Sequence, residues 1–248
     1  VENYDDAVVG QSKVMKHILP ALYSQHRNAR KRPVVLLFLG DSGIGKTETA
    51  KYISDVLGER LVRIQCSMQQ TNIAYQYIFG GEHNQNSMAR DLIRRTSNVI
   101  LLDEFDKVHP QFYNAFYQMF DEGKYVDSSY EVDVSKCVFI CTSNFQSRTE
   151  AEKQLGKPIL SRFSEVVIFE PLSAESKMRI VDNALETYIS KLSKADRKIM
   201  EEKNGTKSIR AEFENVIKRG GGYGNIRMLK NDIENAINYK MLEWKGLL

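Results

Sequence analysis

Hydrophobic positions along the 248-residue chain fall into five short apolar runs separated by longer amphipathic stretches. Val34 to Leu39 ("VVLLFL") is continuously apolar, the pattern of a strand buried on both faces. Arg60 to Cys66, Asn98 to Leu102, Cys137 to Asn144 ("CVFICTSN") and Glu165 to Pro171 ("EVVIFEP") predict four more strands. Between them the spacing becomes helical: about Ser12 to Gln25 with a kink at Pro20, the segment after Thr47, "MARDLIRRT", and Pro110 to Asp121. In the last of these, Phe112, Phe116 and Phe120 recur at i, i+4 beside Tyr113 and Tyr117, predicting an aromatic face packed onto the sheet. Tyr4 to Gln11 predicts an extended lead-in, and "IFGGEHNQNS" a polar loop. Strands alternating with helices predict an α/β fold with a parallel, doubly wound sheet.

The pattern changes after Pro171. Met178, Val181, Leu185, Ile189 and Leu192 lie on one helical face, "RAEFENVIKRGGG" ends in a glycine stop, and "NIRMLKNDIENAINYKMLEW" is a last amphipathic helix. We therefore expect a sheet domain over 1–171 and a small all-helical domain over 172–248.

Composition narrows the setting. Hydrophobic content of 42% and charged content of 27% are those of an ordinary globular chain. No apolar run approaches bilayer length, and "VENYDDAVV" lacks the layout of a signal peptide, so no membrane partner and a cytoplasmic location are expected. The start at Val1 rather than Met leads us to expect flanking domains. A net charge of +3 is too small to argue for nucleic acid, and the basic cluster Arg27 to Arg32 reads as a solvated linker. Cys137 and Cys141 are four strand positions apart, roughly 13 Å, too far for a disulfide. No His or Cys spacing suggests a structural zinc.

The chemistry is concentrated after the first strand. Gly40-Asp41-Ser42-Gly43-Ile44-Gly45-Lys46-Thr47 matches G-x-x-x-x-G-K-[ST], followed by Glu48 and a helical pattern. Glycines let successive N–H groups turn toward an anion, the helix start adds positive potential, Lys46 reaches the β- and γ-phosphates, and the Thr47 hydroxyl suits Mg²⁺. Downstream, Asp103 and Glu104 end an apolar strand: Asp103 would hold Mg²⁺, directly or through water, and Glu104 would polarise the water attacking the γ-phosphate. Asp106 lies too far past the strand end and reads as a surface or salt-bridging residue. Asn144 ends the fourth strand, where its amide would orient that water or touch the γ-phosphate. Arg162 precedes the fifth strand and Arg227 starts the last helix, two guanidinium groups suited to phosphoryl charge.

Together these segments resemble an AAA+ ATPase over nearly the whole chain, in particular the second ATPase module of Clp-type unfoldases and disaggregases. "VVGQSKVM" resembles that family's adenine-contacting lead-in, which would set Val8, Val9 and Gly10 against the base. "LFLGDSGIGKTETAK" and "VILLDEFDKVHPQFYNAFYQMFDEGKYVD" resemble its two nucleotide motifs, "FICTSN" its sensor-1 segment, and "ILSRFSEVVIFEPL" its arginine-finger segment. The resemblance implies a P-loop AAA+ sheet flanked by helices, a helical lid, ATP and Mg²⁺ as ligands, and Arg162 acting on a neighbouring subunit within a ring, usually a hexamer. It also implies a protein substrate.

Two stretches depart from the Clp pattern. "YIFGGEHNQNSMARDL" has no aromatic-Val-Gly pore loop; Tyr75, Tyr77 and Phe79 lie upstream as packing residues, and His83 is a weak substitute. "GNIRMLKNDIENAI" is closer to the sensor-2 helix of bacterial enhancer-binding activators, and "FDKVHPQF…YVDSSYEV" also resembles the torsins. Remodelling of a protein partner is therefore the leading expectation. An ATP-dependent assembly switch in a signalling or defence complex and a DNA-handling motor are the alternatives.

Overall fold

A computed structural model describes residues 3–27, 32–68, 72–81, 86–220 and 222–248. Its contacts divide the chain into two units, one of Val1–Asp41 with Gly45–Phe169, the other of Ser42–Ile44 with Glu170–Leu248.

The first unit is built on five parallel strands: β1 (Val34–Leu39), β2 (Val62–Gln65), β3 (Val99–Asp103), β6 (Val138–Thr142) and β7 (Glu165–Ile168), in the order β2-β3-β6-β1-β7. The register aligns Val34 with Val138 and Val138 with Val99, so β6 lies between β1 and β3 with all three in step. Successive side chains alternate between the two faces. Val35, Leu37, Leu39, Ile100, Leu102, Phe139 and Cys141 enter one large core cluster. Val34, Leu36, Phe38, Val99, Leu101, Val138 and Ile140, on the opposite face, are buried as well. A sheet covered on both faces needs the unbroken apolar runs seen in the sequence.

Helices α1 (Tyr4–Ala7), α2 (Val14–His26), α3 (Lys46–Val56), α4 (Asn72–Phe79), α5 (Met88–Ile93), α6 (Tyr113–Glu122), α7 (Arg148–Leu155) and α8 (Lys157–Leu160) complete this unit. The lead-in is thus not extended throughout: Tyr4 to Ala7 forms a helical turn, anchored by the buried Tyr4 hydroxyl against Thr49 Oγ1 at 2.8 Å. Burial raises the Tyr4 phenol to about 12, keeping it neutral in that bond.

The aromatic face of α6 covers the sheet through Phe105, which follows β3. Phe105 is fully buried, edge-on to Phe116 (centroids 5.2 Å, 84°) and Phe163 (6.0 Å, 88°) and within 6.3 Å of Phe120. The strand pattern gave no hint of a hairpin, β4 (Lys124–Val126) with β5 (Glu131–Asp133), whose strands hold three residues each. Only Tyr125 and Val132 face inward, and Asp127 Oδ1 closes the turn by accepting from the amides of Ser129 and Tyr130. The Tyr125 hydroxyl donates to the Ile78 carbonyl at the end of α4.

Helices α9 (Ala174–Lys191), α10 (Lys194–Glu202), α11 (Gly205–Lys218) and α12 (Ile226–Trp244) form the second unit. Ser173, Ser193 and Asn225 cap α9, α10 and α12 by accepting backbone amides. Helix α9 packs on both α11 and α12. Its most buried residues are consequently Ile180, Val181, Ala184 and Leu185, while Met178, Ile189 and Leu192 of the expected stripe are half-buried. Among the described residues no helix is long and apolar enough to cross a membrane.

Removing the Phe105 ring would leave a cavity between α6 and the sheet. Phe105→Ala should cost about 3–5 kcal/mol, read as a lowered urea midpoint with an unchanged slope.

Candidate functional site

Parallel strands end together at their carboxyl edge, and open α/β sheets place ligand sites there. β1 runs into the glycine loop, β3 ends at Asp103 with Glu104 next, and β6, between them, ends at Thr142 and is followed by Ser143-Asn144. Neighbouring strands lie about 4.8 Å apart, so the loop and the two carboxylates start about 10 Å from one another across β6.

The loop holds its curve through positive φ at Gly40 (130°), Gly43 (77°) and Gly45 (113°). A Cβ on Gly45 would fall 2.8 Å from Val8 Cγ1. Lys46 opens α3, is 8% exposed, and donates from Nζ to the carbonyls of Gly40 and Asp41 (2.8 Å for Asp41) and to Asn144 Oδ1 at 3.4 Å. The ammonium is thus already folded over the cradle it would serve. Thr47 is half-buried in the first turn of α3, and Glu48 is exposed and paired with Lys51 at 2.9 Å. Ser42 to Ile44 belong by contact to the helical unit: the Ile226 amide donates to the Gly43 carbonyl at 3.0 Å, and a Cβ on Gly43 would fall 2.2 Å from Asn225 Oδ1.

Asp103 is buried and both its oxygens are engaged. Thr142 Oγ1 donates to Oδ1 at 2.5 Å, and Arg63 donates to Oδ2 from Nε at 3.0 Å and from Nη2 at 2.5 Å. Glu104 has a left-handed backbone (φ 57°), a conformation costing a non-glycine residue about 1–2 kcal/mol. Its amide is fixed by donation to Thr142 Oγ1 at 3.0 Å, and its Oε2 accepts from Gln65 Nε2 at 2.8 Å. Thr142 therefore bridges the strand pair, holding the carboxylate of one acid and the backbone of the next. Arg63, Gln65 and Thr142 were missed by the sequence reading, because each is an ordinary polar residue in a strand and only the pairing of β2, β3 and β6 brings it to the acids.

The donors fit a nucleotide with Mg²⁺. Among the described residues no group of three or more His, Cys, Asp or Glu could hold a metal alone. Mg²⁺ normally takes one or two protein oxygens plus phosphate and water, and Asp103 with Thr47 offers such a partial set. Cys66, next to Gln65, is a spectator: burial, with the charges of Asp103, Asp106 and Glu104, pushes its thiol far up.

The remaining candidates are more scattered. Val8 and Val9 are 3% and 8% exposed, leaving little of either side chain to meet a base, while Gly10 turns the chain at φ 83°. Asn144 is exposed at the loop. Arg162 lies flat against its own chain: Nε donates to Asp121 Oδ2 at 2.8 Å, and the guanidinium sits 4.2 Å from the Tyr117 ring centroid. Arg227 is exposed in the first turn of α12. Of the two expectations for Asp106, the salt bridge holds and the surface position does not: Lys107 Nζ lies 3.4 Å from Oδ2, and the Asp106 side chain is 5% exposed. Tyr77 and Phe79 pack as expected, Tyr77 donating to Asp91 at 2.7 Å, and Tyr75, though 57% exposed, sets its ring 4.8 Å from that of Phe79. His83 lies outside the described residues.

Gly45→Ala would meet both the Val8 methyl and a forbidden φ, so it should weaken nucleotide binding at least tenfold in a fluorescence titration. Adding Val8→Ala removes the clash but not the backbone strain, and should restore only part of the affinity.

Known proteins resemble this chain in sequence and in fold. Residues 31–218 match the family model described as AAA domain (Cdc48 subfamily). The chaperone protein ClpB of Tropheryma whipplei (strain TW08/27) is 30% identical over 189 residues, covering 66% of this chain and 27% of the chaperone. The ClpB of Staphylococcus aureus (strain COL) is 32% identical over 212 residues, covering 72% of this chain and 24% of the chaperone. The chain thus spans about a quarter of the length of these curated relatives. A closed-state cryo-EM reconstruction of Hsp104 with ATPγS and FITC casein shares the fold over 98% of this chain and 47% of that one, with a TM-score of 0.74 at 23% identity. The S. cerevisiae Hsp104–ADP complex covers 75% of this chain and 38% of that one, with a TM-score of 0.65 at 25% identity. With its phosphate loop, paired acids and five-stranded order, the chain belongs to the AAA family of ATPases, as a Clp-like module.

Proposed function

We propose that this module binds ATP with Mg²⁺ at the carboxyl edge of the sheet and hydrolyses it to remodel a protein partner, within a ring of six whose neighbouring subunits complete each other's sites. The observation that carries the reading is the row of three adjacent strands in which β1 leads to the loop of Lys46, whose Nζ reaches Asn144 just after β6, and β3 leads to Asp103 and Glu104. The loop amides and Lys46 bind the phosphates, and Asp103 with Thr47 would hold Mg²⁺. When bound, Mg²⁺ offsets the negative charge of the phosphates. Glu104 acts as the base that takes a proton from the attacking water, and Asn144 orients that water.

Arg162 is assigned to the neighbour's ATP. Its hold on Asp121 and Tyr117 keeps the guanidinium ordered on an outer element, at 24% side-chain exposure. Arg227 is read from its sequence position as a further γ-phosphate contact. The ClpB and Hsp104 likenesses support a protein substrate.

Glu104→Gln should bind ATP with near-native affinity and lose roughly 10²- to 10⁴-fold in turnover, measured as phosphate release. Near-native turnover would remove Glu104 from its role. Arg162→Ala should be inactive alone, yet regain activity when co-assembled with Glu104→Gln subunits, because a mixed interface can contain one intact site. An assembly shown to be mixed, without that recovery, would argue against a shared site.

A further inference from the structure

Both acids at the end of β3 are occupied by side chains of one neighbouring strand. Arg63 and Gln65 are two apart on β2 and so share a face. The register sets Gln65 level with Asp103, and from that face Gln65 reaches Glu104 while Arg63 reaches forward to Asp103. Asp103 is pinned: its side chain is 10% exposed, with Thr142 on the other oxygen. The side chain of Arg63 is 51% exposed. This asymmetry decides which partner moves. A half-solvated guanidinium on a flexible arm leaves at little desolvation cost, whereas a buried carboxylate without a counter-charge is expensive. A dication on Asp103 would also stand beside a cation of the same sign, and like charges so close repel.

We propose that Arg63 is an exchangeable counter-ion for Asp103. It neutralises the carboxylate while no divalent cation is bound and yields Oδ2 when Mg²⁺ arrives with the nucleotide. Arg63 thereby sets the Mg²⁺ concentration at which nucleotide is held. The inference rests on the reading of Asp103 as the Mg²⁺-side carboxylate. Arg63 is a positioning residue in this scheme and takes no part in proton transfer.

The test is a Mg²⁺ titration of binding to a fluorescent ATP analogue, using the full chain and its Arg63→Gln and Arg63→Lys forms, with thermal melting in chelator alongside. Arg63→Gln should reach half-maximal binding at roughly threefold to tenfold lower Mg²⁺. It should melt below the unsubstituted chain in chelator, and the gap should narrow once Mg²⁺ and nucleotide are added. Arg63→Lys keeps the charge but loses the two-point fork, so it should shift in the same direction by about twofold; it also serves as the deciding variant if Arg63→Gln does not fold. Half-saturation at unchanged or higher Mg²⁺ in the variants overturns the exchange. If instead Mg²⁺ does not affect nucleotide binding to the unsubstituted chain, the assignment of Asp103 itself fails.

Discussion

Everything at the candidate site depends on β6 pairing between β1 and β3. The register sets Phe38 of β1 opposite Thr142, and because Leu102 pairs with Cys141, Asp103 comes level with Thr142 on the other side. One row of the sheet therefore carries the approach to the phosphate loop, a hydroxyl and a carboxylate in that order. A slip of one residue would turn Asp103 to the opposite face and its apolar neighbours with it. Since both faces of these strands are buried, the core itself fixes the register of the polar edge.

That edge contains little slack. Lys46, Asp103 and Thr142 are all under 10% exposed, and a buried polar group without a partner is costly. Each is accordingly bonded: Lys46 to loop carbonyls, Asp103 to Thr142 and Arg63, and the Thr142 hydroxyl to Asp103 and the Glu104 amide, while Glu104 accepts from Gln65. The left-handed backbone of Glu104 is held by the same contacts. Strain of this kind persists where surrounding structure over-determines it, often at functional sites. The bonds that stabilise the edge are the ones a bound phosphate and cation would have to replace.

Arg162 follows the same logic farther out. Its charge is matched by Asp121, its flat face by the Tyr117 ring, and its approach by the Pro158 carbonyl. Those partners come from α6 and α8, elements already fixed by the Phe105–Phe116–Phe163 cluster. An aromatic core thus orders an arginine at the rim, linking packing to the charge a neighbouring subunit would meet.

The sequence by itself determined the elements whose pattern is local and strong. Unbroken apolar runs made β1, β3 and β6 legible, the glycine loop marked a phosphate cradle, and the motifs identified the family. Weak or short patterns were lost: Tyr4 to Ala7 is helical where an extended segment was expected, and the β4–β5 hairpin has a single inward residue per strand. Asp106, expected as a surface or salt-bridging residue, does pair with Lys107, but its side chain is only 5% exposed, which its charge alone did not suggest. Only the tertiary structure decided that Arg63, Gln65 and Thr142 belong with the two acids. A strand's own sequence says which residues share a face, but not which strand will lie beside it. That choice is made by long-range pairing, and here it places the partners of Asp103 and Glu104 about forty positions away on either side.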